Sequence, residues 1–311
     1  MPIYGEEKVM QQQAIAAFDL PHVSSDDKLR RVLSSALSSR LGSQSSSLET
    51  TPYWNAIHFG LEKVKLFQAA SKEEQAEILR LCSNGLLEEA YFIEKAGVGY
   101  MAKMVLLAET IEERMLYALF SADEVTHLAQ INAFLPEKEL VGTDSPFLRF
   151  LADLVETQDK TVLLFVLQMV LEGWGLSHYR SLAKDCQNPQ LGAVFEGFLQ
   201  DESRHHGTGV TLFNHRAVSE TSRATIVEIL NLFLQMVQVG PQSVVAAVER
   251  VKGHLSRQQK LKIFQELDTE QHSGTRLMLL RSLMRGEAAG IIVQELENRG
   301  AFQPFPAERC V

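Results

Sequence analysis

Two short runs constrain this chain more than anything else in it: Asp123-Glu124-Val125-Thr126-His127 and Asp201-Glu202-Ser203-Arg204-His205. Each places Glu and His three residues apart, on one face of a helix. A further glutamate precedes each run at the same interval, Glu94 lying 30 residues before Glu124 and Glu172 lying 30 before Glu202. Chance yields about one Glu-x-x-His in a chain with this much Glu and His. Requiring Asp directly before Glu in both copies takes the expectation below roughly 0.001. Two Glu and two Glu-x-x-His pairs on four helices are what a bundle needs to hold two metal ions in its core.

The surrounding pattern suits four such helices. Around Glu94 an apolar stripe runs through Leu87, Ala90, Tyr91, Val98 and Met101, and the midpoint of Glu94 and Glu124 is Glu109, in an expected turn. Antiparallel helices joined there bring the two carboxylates level, each about 22 Å from the turn. Phe165, Gln168, Met169, Leu176 and Tyr179 share the face of Glu172, and the turn at Asp185 to Pro189 contains the midpoint of the second pair. The expected class is all-α: a four-helix bundle with extra N- and C-terminal helices.

The bounds follow from the punctuation. Residues 1–50 read as a flexible or surface-wrapped arm. Residues 51–85 read as leading helices, one from Thr51-Pro52 to Ala70 and one opened by a capping box at Ser71 and ended or bent at Asn84-Gly85. Residues 86–218 form the bundle, with a loop at Pro136, Gly142 and Pro146 inside it. Residues 219–311 form a helical extension, with helices near 221–238, 242–253, 257–285 and 287–299 and a tail over the surface.

Composition narrows the function. Thirty Lys and Arg against 39 Asp and Glu give a net charge of −9, a poor match to nucleic acid. Cys82, Cys186 and Cys310 form no Cys-x-x-Cys pair, which suits reduced thiols and excludes a rubredoxin-type iron site. Met1 to Asp19 has neither the basic start nor the apolar stretch of a secretory signal, and Val162 to Leu171 is about half the length of a membrane span. The expectation is a cytoplasmic protein without a membrane span. Gly97-Val98-Gly99-Tyr100-Met101-Ala102 matches a dinucleotide fingerprint on paper, but it falls mid-helix with no strand before it.

Hard carboxylate and imidazole donors suit iron that meets dioxygen, and manganese shares the preference. Asp123 and Asp201 each stand four residues before a ligand histidine, placed to fix an imidazole tautomer. Gly97 and Gly175 each follow a lone glutamate by three residues and remove bulk on the ligand face. With Tyr91, Val98, Phe120, Met169, Phe195, Phe198 and Leu199 they are expected to line a substrate pocket. Leu at Gly97 or Gly175 is then expected to weaken substrate binding and spare metal loading. Tyr91, Tyr100, Tyr117 and Tyr179 are candidates for a redox tyrosine, with packing the simpler role for each. His58 with Glu62 reads as a surface pair, and His206 as an outer-face residue.

These paired sites, with Asp-Glu-x-Arg-His as one form, resemble the ferritin-like di-iron carboxylate superfamily, over roughly residues 85–215. That superfamily includes multicomponent monooxygenases, acyl carrier protein desaturases, the ribonucleotide reductase small subunit, quinone hydroxylases and aldehyde-deformylating oxygenases. The resemblance implies Glu94, Glu124, His127, Glu172, Glu202 and His205 as ligands of two iron ions, with manganese or a mixed pair as the alternative. It points to an oxygenase or oxidase acting with O2; the apolar pocket stripe suggests a small hydrophobic or lipid-like substrate, electrons are expected from a separate reductase, a small reductant or the substrate itself, and a homodimer is compatible. The other readings are a ferroxidase or peroxide-reducing protein and a metal-free helical interaction protein.

Overall fold

A computed structural model describes residues 14–24, 26–41, 52–135 and 145–311. Among these the chain is helical, with no strand. The first helix, α1, covers Lys28–Leu41, and a short turn of helix, α2, covers Lys65–Gln68. The ligand-bearing elements follow. They are α3 (Lys72–Leu107), α4 (Ile111–Asn132), a π-helical segment (Leu164–Leu171) running into α7 (Glu172–Asp185), and α8 (Pro189–Asn214). Between them lie α5 (Pro146–Thr157) and the single turn α6 (Lys160–Leu163). Helices α9 (Glu220–Gln238), α10 (Gln242–Lys252), α11 (Arg257–Glu266), α12 (Thr269–Leu283) and α13 (Glu287–Asn298) complete the chain.

Local chemistry explains most boundaries. Ser71 opens α3 with a complete capping box: its hydroxyl accepts the Glu74 amide and the Glu74 side chain accepts the Ser71 amide. Thr110 accepts the Glu113 amide to open α4. Asn188 accepts the Gln190 and Leu191 amides ahead of Pro189 to open α8. The short 108–110 and 186–188 connections force α3/α4 and α7/α8 into antiparallel pairs. A nearly buried lysine ties the first turn to the rest. Lys160 donates to the carbonyl of Leu107 at 3.0 Å and pairs with Glu113 at 2.5 Å.

Several expectations need correcting. Asn84-Gly85 does not end a helix, since α3 runs through both for 36 residues, about 54 Å. Gly85 costs about 1 kcal/mol of helix propensity, which the burial of Ile78, Cys82 and Leu87 on either side outweighs. The boundary placed at 85/86 therefore falls inside one helix. Residues 52–70 form turns and two short helical segments rather than one helix. That stretch exists to seat Trp54, whose indole N–H donates to the carbonyl of Leu182 at 2.9 Å.

The third long helix is divided. Lys103 donates to the carbonyls of Val155 and Gln158 and finishes α5, and Asp159 caps the next helix through the Thr161 and Val162 amides. The expected 257–285 helix breaks at Asp268, which sits at φ +50°, between α11 and α12. Thr51 and most of the Pro136–Gly142 loop lie outside the described residues.

The described part of the N-terminal arm packs on the helices. Residues 14–22 lie across α3, where Lys95 donates to the Phe18 and Leu20 carbonyls and His22 pairs with Tyr91 at 3.0 Å. Gly99 permits this crossing, because any side chain there would strike the Ile15 backbone. The helix α1 was not expected from its serine-rich sequence.

The run from Lys160 to Asp185 is 26 residues long and meets the length and apolarity of a membrane span, and 61% of its most apolar window is buried. The burial is against α8, α9 and α12 of the same chain. Length and composition alone are weak evidence for a span, because the core helix of a bundle has both.

Candidate metal centre

The six residues singled out by spacing converge in the middle of the four ligand-bearing elements. Glu94 comes from α3, Glu124 and His127 from α4, Glu172 from the first turn of α7, and Glu202 and His205 from α8. Glu94, Glu124, His127, Glu202 and His205 are all buried, and the Glu172 side chain is 11% exposed.

Their donor atoms fall into two overlapping groups. Glu94, Glu124, His127 and Glu202 have ligand atoms within 4.8 Å of one another, as do Glu124, Glu172 and His205. Glu124 belongs to both groups. Glu202 also faces both ways, with Oε1 lying 3.5 Å from His127 Nδ1 and Oε2 3.7 Å from His205 Nδ1. Two carboxylates shared between two histidines form the arrangement in which a pair of cations is bridged.

The aspartates act across the bundle. His127 Nε2 donates to Asp201 of the opposite motif at 3.1 Å, and His205 Nε2 to Asp123 at 3.5 Å. Each Asp therefore turns its partner's Nδ1 toward the carboxylates and fixes the tautomer in which Nδ1 is the donor atom. Phe198 stacks on His127 at 3.9 Å and Phe120 lies 4.4 Å from His205, so the rings are held by packing as well. Tyr179, alone of the four tyrosines, hydrogen-bonds a ligand, donating to Glu94. Tyr100 and Tyr117 both donate to Gln168, whose amide reaches the His205 carbonyl at 2.9 Å. Tyr91 is engaged by His22.

Electrostatics shows that the site suits cations. Burial, then the charge of Glu94, pushes the Glu124 carboxyl up to about 8. Burial and the charge of Glu172 put Glu202 well above the usual range. Glu172 is driven the other way: its burial is outweighed by hydrogen bonds from Glu202 and His205, so the pair shares a proton held on Glu202. For His127, burial is outweighed by hydrogen bonds to Asp201 and Glu94, which raise the imidazole to about 11. His205 Nδ1 is buried and points at three carboxylates, Glu124 at 3.2 Å, Glu202 at 3.7 Å and Glu172 at 3.8 Å. Four acids and two imidazoles in a dry core require either protons or metal ions, and the hard oxygen and nitrogen donors fit metal ions.

A cleft opens onto this cluster, enclosing about 740 Å³ of atom-free space including its mouth. Its walls are apolar, from Phe147, Leu151 and Val155 on α5 and from Leu167, Leu171 and Trp174 on the π segment and α7. Glu94, Glu124, Glu172 and Glu202 form its floor, and Glu89 and His178 add polar groups. Burial and the nearby Arg276 and His58 charges lower His178 to about 4, so it is a neutral imidazole near neutral pH. Along α3 the lining runs from Glu89 to Tyr100, roughly 16 Å of helix.

Of the residues expected to line a pocket, Gly97 and Gly175 line this cleft, and Phe120 lines a separate, more open pocket with Leu116 and Leu212. The others lie elsewhere. Phe120 and Phe198 pack on the histidines, Phe195 stacks on Tyr179, Met169 is core, and Val98 and Leu199 are partly buried. Tyr91 lies against His22 of the N-terminal segment. The glycines also differ in purpose. A Cβ on Gly97 would come within 2.7 Å of the Glu124 carboxyl carbon, whereas Gly175 has nothing within 4 Å. Gly97 admits a ligand, and Gly175 leaves the cleft open. A side chain at Gly97 therefore has to displace the Glu124 carboxylate, a contact that the expectation of spared metal loading did not include.

Two further readings change. His58 pairs with Asp185 at 3.0 Å rather than with Glu62. His206 is partly buried, with Nδ1 3.3 Å from the Gln168 carbonyl. The α5 wall and the π segment were missed. The regular apolar face of α5, at Leu148, Leu151, Leu154 and Val155, was the available signal that this helix covers the site. Set against protein-family models, curated proteins and solved structures, the chain matches none of them.

Proposed function

We propose that this protein is a ferritin-like di-metal carboxylate enzyme, most simply a di-iron oxygenase or oxidase acting on a small, largely apolar substrate. The observation that carries the reading is the pair of overlapping donor groups sharing Glu124, with the two Glu202 oxygens divided between His127 and His205. Glu94 and His127 would hold one ion and Glu172 and His205 the other, with Glu124 and Glu202 placed within reach of both. A ferrous pair bound there supplies electrons to dioxygen.

The chain's own groups do the rest. Asp201 and Asp123 keep both imidazoles oriented, so the histidines hold metal through Nδ1. Tyr179 pins Glu94 by its hydroxyl, whereas Glu172 stands at the cleft floor beside Glu124, Glu202 and His205, its side chain 11% exposed. Glu172 is thus the carboxylate free to swing and open a coordination position toward the cleft. The apolar walls exclude water from the reacting centre and favour a hydrophobic guest. Such a cleft supports an organic substrate over iron storage or peroxide removal, neither of which needs one.

The test is oxygen uptake by anaerobically iron-loaded protein, with and without a panel of apolar organic molecules. Uptake accelerated by a subset of them, with an oxidised product recovered, supports the proposal. Rapid uptake indifferent to every organic additive, with ferric mineral accumulating, favours ferroxidase chemistry instead.

A further inference from the structure

The most anomalous element outside the site is α1. None of its 14 residues is buried. Leu29, Val32 and Leu33 are 63%, 66% and 50% exposed. Leu29, Val32, Leu33, Ala36 and Leu37 recur at i, i+3, i+4, i+7 and i+8, which gathers them into one stripe. Lys28, Arg30, Arg31 and Arg40 are its charged residues, and no acid lies within the helix. This occurs in a chain whose net charge is −9. Asp26 and Asp27 precede the helix, and Asp27 accepts the Leu29 amide at 2.7 Å as a cap. Only partial cover, over Leu37 and Leu41, is given to the apolar side by the rest of the molecule.

A basic helix that touches α4 yet keeps Leu29, Val32 and Leu33 exposed needs a partner that is broad, apolar within and anionic at its rim. A second copy of α1 brings Arg30 and Arg31 against their own like charge, which disfavours a symmetric helix pair. The boundary between anionic headgroups and acyl chains offers both properties at once. We propose that α1 docks this protein peripherally on an anionic lipid surface, leucine stripe inward and arginines at the headgroups. The attachment is reversible, since a single short helix does not anchor permanently.

The experiment is co-sedimentation of the full chain with phosphatidylserine-containing vesicles and with pure phosphatidylcholine vesicles. Binding to the anionic vesicles only, weakened by added salt, is expected. The double variants R30E/R31E and L29D/V32D are expected to lower that binding on the order of tenfold or more, with circular dichroism unchanged because no residue of α1 is buried. Absence of binding overturns the proposal, as does equal binding to both vesicles or indifference to either variant. Self-association without vesicles that L29D/V32D abolishes also overturns it, in favour of a second copy as occupant.

Discussion

The two halves of the centre carry the same motif at the same spacing, yet the protein uses them differently. In the α3/α4 half, Glu94 is 1% exposed and held by Tyr179 and His127, and the glycine one turn beyond it lies against the Glu124 carboxylate. In the π/α7/α8 half, Glu172 follows directly on the π-helical segment, is 11% exposed at the cleft floor, and the matching Gly175 faces open space. π-helical turns inside α-helices are frequent at functional sites. The sequence symmetry thus serves the ligands, and the departures from it serve access. One half is built to hold and the other to open.

The largest effects should come from breaking what the halves share. Glu124→Ala or Glu202→Ala removes a carboxylate common to both ions, so metal content should fall from about two per chain to below about one, with O2-dependent activity lost. Elemental analysis of loaded protein checks this. Retention of both ions would refute the bridging roles.

The glycine pair tests the asymmetry most sharply. Gly97→Ala should weaken metal affinity about 10- to 100-fold, by displacing Glu124, a perturbation comparable to losing a supporting hydrogen bond. Gly175→Ala should leave metal affinity unchanged and raise helix stability by up to about 1 kcal/mol. The matching test of the cleft is Gly175→Leu, expected to slow turnover of apolar substrates. Equal metal-binding titrations for the two alanine variants would erase the distinction drawn between the halves.

Next in size are the aspartates. Asp201 approaches His127 at 3.1 Å, closer than Asp123 approaches His205 at 3.5 Å. Asn at either position should cost up to about 10- to 100-fold in metal affinity, with Asp201→Asn the more damaging.

A smaller effect concerns the metal-free protein and pH. Glu124 is raised from 4.5 to about 8, so the folded state holds its proton more tightly than the unfolded chain does. Its contribution is fully present below 4.5 and is lost as pH rises from there through about 8. His127, raised from 6.5 to about 11, has the same sign, its contribution declining from pH 6.5 upward. Glu172 and Asp201, both lowered, act in the opposite sense at acidic pH. Thermal unfolding of chelator-treated protein should show stability declining from about pH 5 to 8. Metal-loaded protein should not show that decline, since metal replaces the protons.

How much of this was legible in the sequence depends on the range of the signal. The convergence of the six Glu and His residues was legible because Glu-x-x-His is set by helical pitch within one turn, and equal offsets require equal distances to a turn. Both connections did fall around Glu109 and Gln187. The continuity of α3 was not legible. Gly85 looks like a breaker locally, and only burial on either side, a property of the assembled fold, overrides it. The π segment was hidden because Leu164–Leu171 is apolar at almost every position, so its face carries no period to read. The cleft was misplaced for a related reason. Residues adjacent to a ligand on a helix point to either side of the ligand ring. Phe120, Phe195 and Phe198 were on the side that packs, whereas the open side is closed by α5, which carries no ligand.

The account rests on two metal ions sharing Glu124 and Glu202, and anaerobic titration with ferrous iron, read by elemental analysis after desalting, tests that directly. About two ions per chain are expected, and fewer than about one would contradict the account at its centre.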